Sequence, residues 1–197
     1  MVDRSATLLL VAVLWAGLAG CGTTPPSSFY TLDAAATDAG GPGVGSAVVV
    51  GPVSVPGAVD RPEFVVQVAP NQVEIDEFHR WAAPLGDAIA GAVAGDLAVL
   101  LGTPQVATAP IANFRPVYRV TIDVQRFESA PGEAALLDAV WVVHATAGAT
   151  SSSGRTVARE AVQGDGFDAL AAAHSRAIAR LAGDVAAAIR AQTAAKR

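Results

Sequence analysis

The single cysteine of this chain, Cys21, directly follows a short apolar segment that runs from Ala6 to Gly20. A charged start, an apolar core and a small-residue end are typical of a secretory signal peptide, and residues 1–20 have this organisation. The 15 residues of the segment are too few for a membrane-spanning helix, which needs roughly 20 apolar residues. Because the chain has no second cysteine, the exported domain forms no internal disulfide and depends on its hydrophobic core.

The run Leu18-Ala19-Gly20-Cys21 resembles a bacterial lipobox, in which a diacylglyceryl group is attached to the cysteine sulfur and cleavage leaves that cysteine at the N-terminus. This interpretation makes Cys21 the lipidation site. Two or more acyl chains hold a protein on a membrane durably, whereas one chain holds it only marginally. The alternatives are a free thiol in an ordinary signal peptide and a buried core cysteine. An odd cysteine in an exported protein needs an explanation, and the position directly after the apolar run argues against a buried one.

Residues 21–28 combine the lipidated cysteine with a flexible tether. The residues after Cys21 are small and polar and include two prolines, a composition typical of an extended, solvated linker. Gly22 stands where an aspartate commonly retains enterobacterial lipoproteins in the inner membrane. We therefore expect the protein at the periplasmic face of the outer membrane.

Composition limits the remaining chain to one domain, residues 29–197. Removal of the signal peptide leaves 177 residues with a net charge of −5 and a single lysine, Lys196. A chain of this length suits one domain with a proper core. An acidic balance without a basic run excludes nucleic acid as a partner, because neutralisation of phosphates drives such binding.

Periodicity predicts an α/β fold: a mixed, largely antiparallel sheet with two main amphipathic helices packed on it, in a single domain. Period-two patterns and turn residues predict strands over 28–32, 46–56, 63–68, 72–75, 115–127, 134–147 and 155–162. Gly51-Pro52 suggests a bulge or an edge position in the second of these strands. A first helix runs from Pro84 to the C-terminal cap Gly102, and a second covers residues 167–194.

Neither catalytic nor metal or cofactor chemistry is visible in the sequence. His79, His144 and His174 are far apart, and none has a neighbour at metal-ligand spacing; we interpret His174 as a partly buried structural residue and His144 as a surface residue. The serines of 150–154 lie in a predicted turn, which is the wrong context for a serine nucleophile. The pair Asp76-Glu77 indicates a solvated cap region beside a turn.

The best candidate for a partner-binding site comprises Arg61, Arg80 and Trp81. Tryptophan and arginine dominate the hot spots of protein interfaces, and these residues flank the predicted start of the first helix. In the alternative interpretation Trp81 packs over the helix start, and Arg61 or Arg80 forms an ion pair with a nearby carboxylate.

Several motifs in this order resemble the PqiC-like ABC-type transport auxiliary lipoproteins, a family of MCE-type (paraquat-inducible) lipid transport systems. They include the lipobox, the early strand at 29–32 and the run 53–56 that leads into Asp60-Arg61-Pro62. Residues 80–85, Arg-Trp-Ala-Ala-Pro-Leu, resemble the Trp-Ala-x-Pro-Leu signature of the family, and residues 164–168 are similar to the start of its final helix.

The resemblance implies an outer-membrane lipoprotein that partners a periplasmic MCE-domain protein and an inner-membrane permease in lipid traffic. It implies an α/β fold with a mixed sheet and no catalytic residues. The alanine-rich helices of this chain depart from the family pattern, so whether the protein forms a homo-oligomer stays open. The main alternative is a carrier that itself holds an acyl chain. A carrier requires a sizeable apolar cavity between sheet and helices, whereas the alanines favour close packing.

Overall fold

Within the part of the chain that the structure describes, two helices pack against an eight-stranded sheet. The computed structural model describes residues 25–37, 43–109, 111–148 and 150–195. The strands are β1 (Ser28–Tyr30), β2 (Val48–Ser54), β3 (Glu63–Ala69), β4 (Gln72–Trp81), β5 (Val106–Ala107), β6 (Tyr118–Ala130), β7 (Ala134–Ala145) and β8 (Ser151–Ala161). The helices are α1 (Leu85–Leu101) and α2 (Gly166–Ala194). The predicted fold class is confirmed.

Strand β6 is the centre of the sheet. One of its edges pairs antiparallel with β7, which pairs antiparallel with β8. Its other edge pairs in parallel with β2 over its first half and with β3 at Ser129. Strands β3 and β4 form an antiparallel hairpin, while the short strands β1 and β5 add in parallel to β4 and β2. The sheet is therefore mixed, and its long hairpins are antiparallel.

A bulge in β6 changes which residues face the core. Up to Val124 the even-numbered residues are buried, in agreement with the predicted alternation. The register with β7 shifts between Val124 and Arg126, and after the shift Phe127 and Ser129 are buried. One extra residue in a strand moves every later side chain to the other face. A similar shift in β2 between Val50 and Val53 confirms the bulge predicted at Gly51-Pro52.

Both helices begin and end close to their predicted bounds. Helix α1 ends at Gly102, which has φ 59° and whose N–H donates to the carbonyl of Val99. Only glycine adopts this left-handed conformation without strain, which explains the stop. The predicted apolar stripe of α2 is buried against the sheet, and it contains Leu170, His174, Ile178, Leu181, Val185 and Ile189.

Small side chains bring α2 close to the sheet. Ala173, Ala177 and Ala182 on the helix are fully buried, as are Ala135 and Ala139 on β7. Because alanine has no side chain beyond Cβ, the two layers approach closely and fill the space between them. This packing does not favour a lipid cavity between sheet and helices.

The prediction of a solvated cap at Asp76-Glu77 is wrong. Strand β4 continues from Gln72 to Trp81, well beyond the predicted end at residue 75. The Asp76 carboxylate accepts the backbone N–H groups of Phe78 at 2.9 Å and His79 at 3.0 Å. This local turn is a bulge in the strand, after which pairing with β3 resumes at Arg80. Residues whose side chains accept hydrogen bonds from nearby backbone N–H groups are typical of turns and caps, which is why the sequence predicts one here.

The prediction of a serine-rich turn over 150–154 is also wrong, because Ser151–Gly154 begin β8 and pair with β7. The chain reverses earlier, between Ala145 and Ser151. Gly154 lies opposite Trp141, whose indole occupies the space that a side chain would need. A Cβ built at Gly154 would lie 2.3 Å from the Cζ2 atom of Trp141. Glycine is thus required here by the neighbouring ring.

We predict that Gly154→Ala destabilises the domain by about 1–3 kcal/mol, the usual cost of overpacking a filled site. Gly91→Ala is the matched control, because a Cβ at this exposed position of α1 meets nothing within 4 Å. Removing a helical glycine stabilises by roughly 0.5–1 kcal/mol. Urea unfolding of both variants checks the prediction, and shifts of the same sign would contradict it.

Candidate functional site

The structure brings two of the three predicted partner-binding residues to one surface hollow. The turn before β3 and the turn before α1 enclose about 360 Å³, and Asp60, Arg61, Pro62, Trp81, Ala82, Ala83, Pro84 and Leu85 line it. The backbone N–H of Trp81 donates to the carbonyl of Pro62 at 2.7 Å, which joins the two turns. We call this depression the Trp81 hollow.

Trp81 forms the floor of the hollow and belongs to the core. Its side chain is 5% exposed, and its ring stacks on Phe64 with the centroids 4.0 Å apart. Phe127 and His174 meet the indole edge to face, both at 6.0 Å. Trp81 is therefore a core residue whose ring packs on β3, β6 and α2, and part of the residue is still accessible from the hollow.

Arg61 is the cation of the Trp81 hollow. Among the described residues its guanidinium forms no ion pair within 4.0 Å, and its buried Nε has no hydrogen-bond partner. Asp60 beside it is exposed. An arginine with free donors on the wall of an aromatic-floored hollow is suited to bind a carboxylate or carbonyl oxygen of another molecule.

Arg80 lies on the other face of β4. Consecutive residues of a strand point to opposite faces, so Arg80 points away from Trp81, although the two are neighbours in sequence. Its Nη2 is 2.9 Å from the Glu63 carboxylate, which lies directly opposite on β3, and its Nε donates to the carbonyl of Glu77. Arg80 thus has the ion pair that the alternative interpretation expected, and Arg61 does not.

Beneath Trp81, the structure contains a serine–histidine pair that the sequence pattern did not indicate. The Oγ of Ser129 is 2.8 Å from Nε2 of His174, and both residues are buried. A nucleophilic pair needs access to substrate and a third group that orients the histidine. Here Nδ1 of His174 has no partner among the described residues, and burial lowers the pKa of His174 to about 3. The imidazole is therefore neutral and stacks on Phe127 at 3.9 Å.

His79 connects the bulge of β4 with the start of α2. Its ring stacks on Phe167 at 3.9 Å, and its Nδ1 is 2.9 Å from the Asp76 carboxylate. Burial acts to raise the pKa of Asp76, but the hydrogen bonds from His79 and from the backbone N–H groups outweigh it and lower the pKa. His144 is exposed, as predicted. The described residues contain no group of three or more His, Cys, Asp or Glu side chains placed to hold a metal ion.

A buried carboxylate fixes the segment that follows β1. Asp96 of α1 is fully buried, and its Oδ1 accepts the backbone N–H groups of Ala35 and Ala36, both at 2.7 Å. Burial raises the pKa of Asp96 despite these two bonds. The carboxylate thus has a structural role, distant in the chain from the Trp81 hollow.

A sequence model of the ABC-type transport auxiliary lipoprotein component matches residues 30–186, which is most of the chain. The chain belongs to this family. The match confirms the resemblance to the PqiC-like proteins. It makes the protein an auxiliary component of an ABC-type transport system, with the membrane association and transporter partners that this class of lipoprotein implies.

Two solved structures have the fold of this auxiliary lipoprotein. A protein from Xanthomonas campestris, assigned to the DUF330 family, is 21% identical with a TM-score of 0.68, over 86% of this chain and 100% of that one. A second, described only as an uncharacterized protein, is 20% identical with a TM-score of 0.68, over 84% and 99% of the two chains. No curated protein gives a significant sequence match.

Two further features bear on how an auxiliary lipoprotein attaches to a membrane. Cys21 lies outside the described residues, so its acylation stays a prediction. Among the described residues, no helix has both the length and the apolar character needed to cross a bilayer.

We predict that lowering the pH from about 6.5 to 5 destabilises the domain by about 1.5 kcal/mol through His174. In this range the unfolded chain takes up a proton on His174 and the folded chain does not, because the folded pKa is about 3. Stability therefore rises with pH through this window. Urea unfolding across the range measures the slope.

The control variant for this titration is His174→Phe, which retains a ring over Phe127. It should show a clearly smaller slope. It also retains Asp96, whose raised pKa acts in the opposite direction by favouring the folded state in acid. Identical slopes for the two proteins would contradict the assignment to His174.

Proposed function

We propose that this auxiliary lipoprotein is a non-enzymatic subunit of an MCE-type ABC lipid transport system, anchored to the outer membrane through acyl chains on Cys21. In this role it docks a periplasmic MCE-domain protein, whose permease lies in the inner membrane, and supports membrane integrity. The observation that carries the proposal is the family match over residues 30–186, which begins nine residues after a cysteine preceded by Leu18-Ala19-Gly20.

The geometry beneath Trp81 supports a role without catalysis. The Ser129–His174 pair is enclosed by the aromatic core, and no described carboxylate orients the histidine. Substrate has no access to a pair that is buried on both sides. We assign the pair to packing, where it satisfies two polar groups that would otherwise be buried without partners.

The Trp81 hollow is the proposed contact for the transport partner. It brings Trp81, apolar residues and Arg61 together on one concave surface. This combination resembles the anchor sites of protein interfaces, where a rigid aromatic floor and an arginine contribute most of the binding energy. Arg80, already paired with Glu63, contributes to the structure of the hairpin instead.

The filled layer between α2 and the sheet supports a docking role more than a carrier role. An acyl chain held inside the domain requires an enclosed apolar space, and alanines occupy the region where it would lie. The experiment below nevertheless distinguishes the two functions.

We expect crosslinking of the acylated protein in intact membranes to recover an MCE-domain protein together with its permease. Cys21→Ser removes the attachment atom, so this variant should leave the membrane fraction and lose the partners from the outer-membrane pull-down. Mass spectrometry identifies the recovered proteins and any lipid. Recovery of phospholipid without protein partners would refute the docking role and favour the carrier.

Arg61→Ala should lower recovery of the partner by about tenfold, the effect of losing one interface hot spot. Its unfolding free energy should change by less than about 0.5 kcal/mol, because Arg61 is only half-buried and forms no ion pair with a described residue that the change would break. Arg159→Ala is the control, since Arg159 is an exposed cation on β8 with only a long contact of 3.8 Å to Glu133. Equal recovery for both variants would exclude Arg61 from the interface.

A further inference from the structure

Three apolar side chains are exposed on one face of the hairpin formed by β3 and β4. Phe29 of β1 is 65% exposed, and Val73 and Ile75 of β4 are 58% and 49% exposed. The strand register places all three on the same side, because Phe29 lies opposite Arg80, which shares a face with Glu63. Alternate residues of β3 point to the same side as Glu63. Two of them pair with Ile75 and Val73 of β4, so these two side chains lie on that side as well. We call it the outer hairpin face, and it is opposite the face that carries Trp81.

The direction of β1 places this face close to the anchor. β1 runs parallel to β4 with Ser28 beside His79. Cys21 precedes Ser28 by seven residues, which span at most about 25 Å when fully extended. The strand from Gln72 to His79 has a similar length, about 23 Å at 3.3 Å per residue. The tether is thus about as long as the strand, which allows the whole outer hairpin face to lie along the surface that holds the acyl chains of Cys21.

The charges of the face favour a neutral apolar occupant. Arg80 is neutralised by Glu63, which lies beside it at 2.9 Å. Residues 64–79 contain three acidic residues and neither lysine nor arginine. Electrostatic attraction to anionic lipid, which depends on basic residues, is thus absent from this hairpin. Exposed aromatic and aliphatic side chains instead enter the boundary between headgroups and acyl chains.

We propose that the outer hairpin face lies against the phospholipid layer that holds the acyl chains of Cys21. Phe29, Val73 and Ile75 then form a second, weaker membrane contact that orients the domain and leaves Trp81 on the opposite face. This inference rests on the proposed acylation of Cys21. It adds a contact of the folded domain itself with a zwitterionic lipid surface.

A site-specific fluorescent label tests the contact in the full-length acylated protein. Acylation occupies the sulfur of Cys21, so a cysteine introduced by Val73→Cys is the only free thiol. Val157→Cys is the matched control, since Val157 is 60% exposed on β8, across the sheet from the hairpin. Both proteins are labelled with an environment-sensitive dye and reconstituted in phosphatidylcholine–phosphatidylethanolamine vesicles that contain brominated acyl chains.

We expect the label at residue 73 to shift to the blue and to be quenched by the brominated chains, and high salt to leave both effects unchanged. The label at residue 157 should remain unquenched. Adding Phe29→Ser and Ile75→Ser to the Val73→Cys protein should abolish the quenching. Equal signals from residues 73 and 157 would overturn the proposal. Shielding of residue 73 that depends on protein concentration and persists in detergent would also overturn it, because the face would then join copies of the chain.

The anchor is verified separately, so that its failure is distinguishable from failure of the lipid contact. The mass of the N-terminal peptide reports acylation of Cys21, and Cys21→Ser reports release from the membrane. The fluorescence comparison uses only protein that is acylated and membrane-bound. A bound protein with an unquenched label at residue 73 disproves the lipid contact while the anchor stands.

Discussion

The stacking of Trp81 on Phe64, with ring centroids 4.0 Å apart, is the contact on which the rest of the structure depends. Around this pair an aromatic cluster joins four strands to the N-terminal half of α2. Its other members are Tyr30, Phe127, Phe167, His79 and His174. Large rings bury more area than any other side chains and hold defined mutual orientations. The cluster therefore sets the positions of the hairpin, of the first strand and of the long helix together.

The position of Trp81 in this cluster determines what the neighbouring arginines do. Since Trp81 points inward, Arg80 must point to the outer face, where Glu63 neutralises it. Arg61 comes from a different turn and lines the same hollow as Trp81. One cation is thus committed to the fold, and the other has donors available for a partner. For an auxiliary subunit of a transporter, this division separates the proposed docking residue from the structure that supports it.

Local patterns predicted most of the elements, and the misses have physical causes. Helix α1 is readable because the glycine cap and the apolar spacing both arise within the helix itself. The sequence pattern does not reveal the bulge at Asp76, because the Asp76 carboxylate accepts a backbone N–H group as it would in a turn. The sequence pattern does not reveal the strand at Ser151–Gly154, because its serines and glycine are typical of a turn. The glycine is required by the ring of Trp141, which lies on another strand. Of the candidate site, Arg61 and Trp81 were predicted from their residue types and their position before the first helix, whereas their separation from Arg80 needed the strand register.

The sequence by itself determined the fold class, the two helices and the expected lipid anchor, because each depends on periodicity or on a contiguous motif. It also determined the acidic net charge of −5, which argues against nucleic acid as a partner. Only the tertiary structure decided that Ser129 meets His174 and that Arg61 lines the same hollow as Trp81. It also placed Phe29 on the same face as Val73 and Ile75. These relations are set by bulges and strand register, because a shift of one residue exchanges the two faces of a strand. The spacing of residues within a single strand does not reveal such a shift.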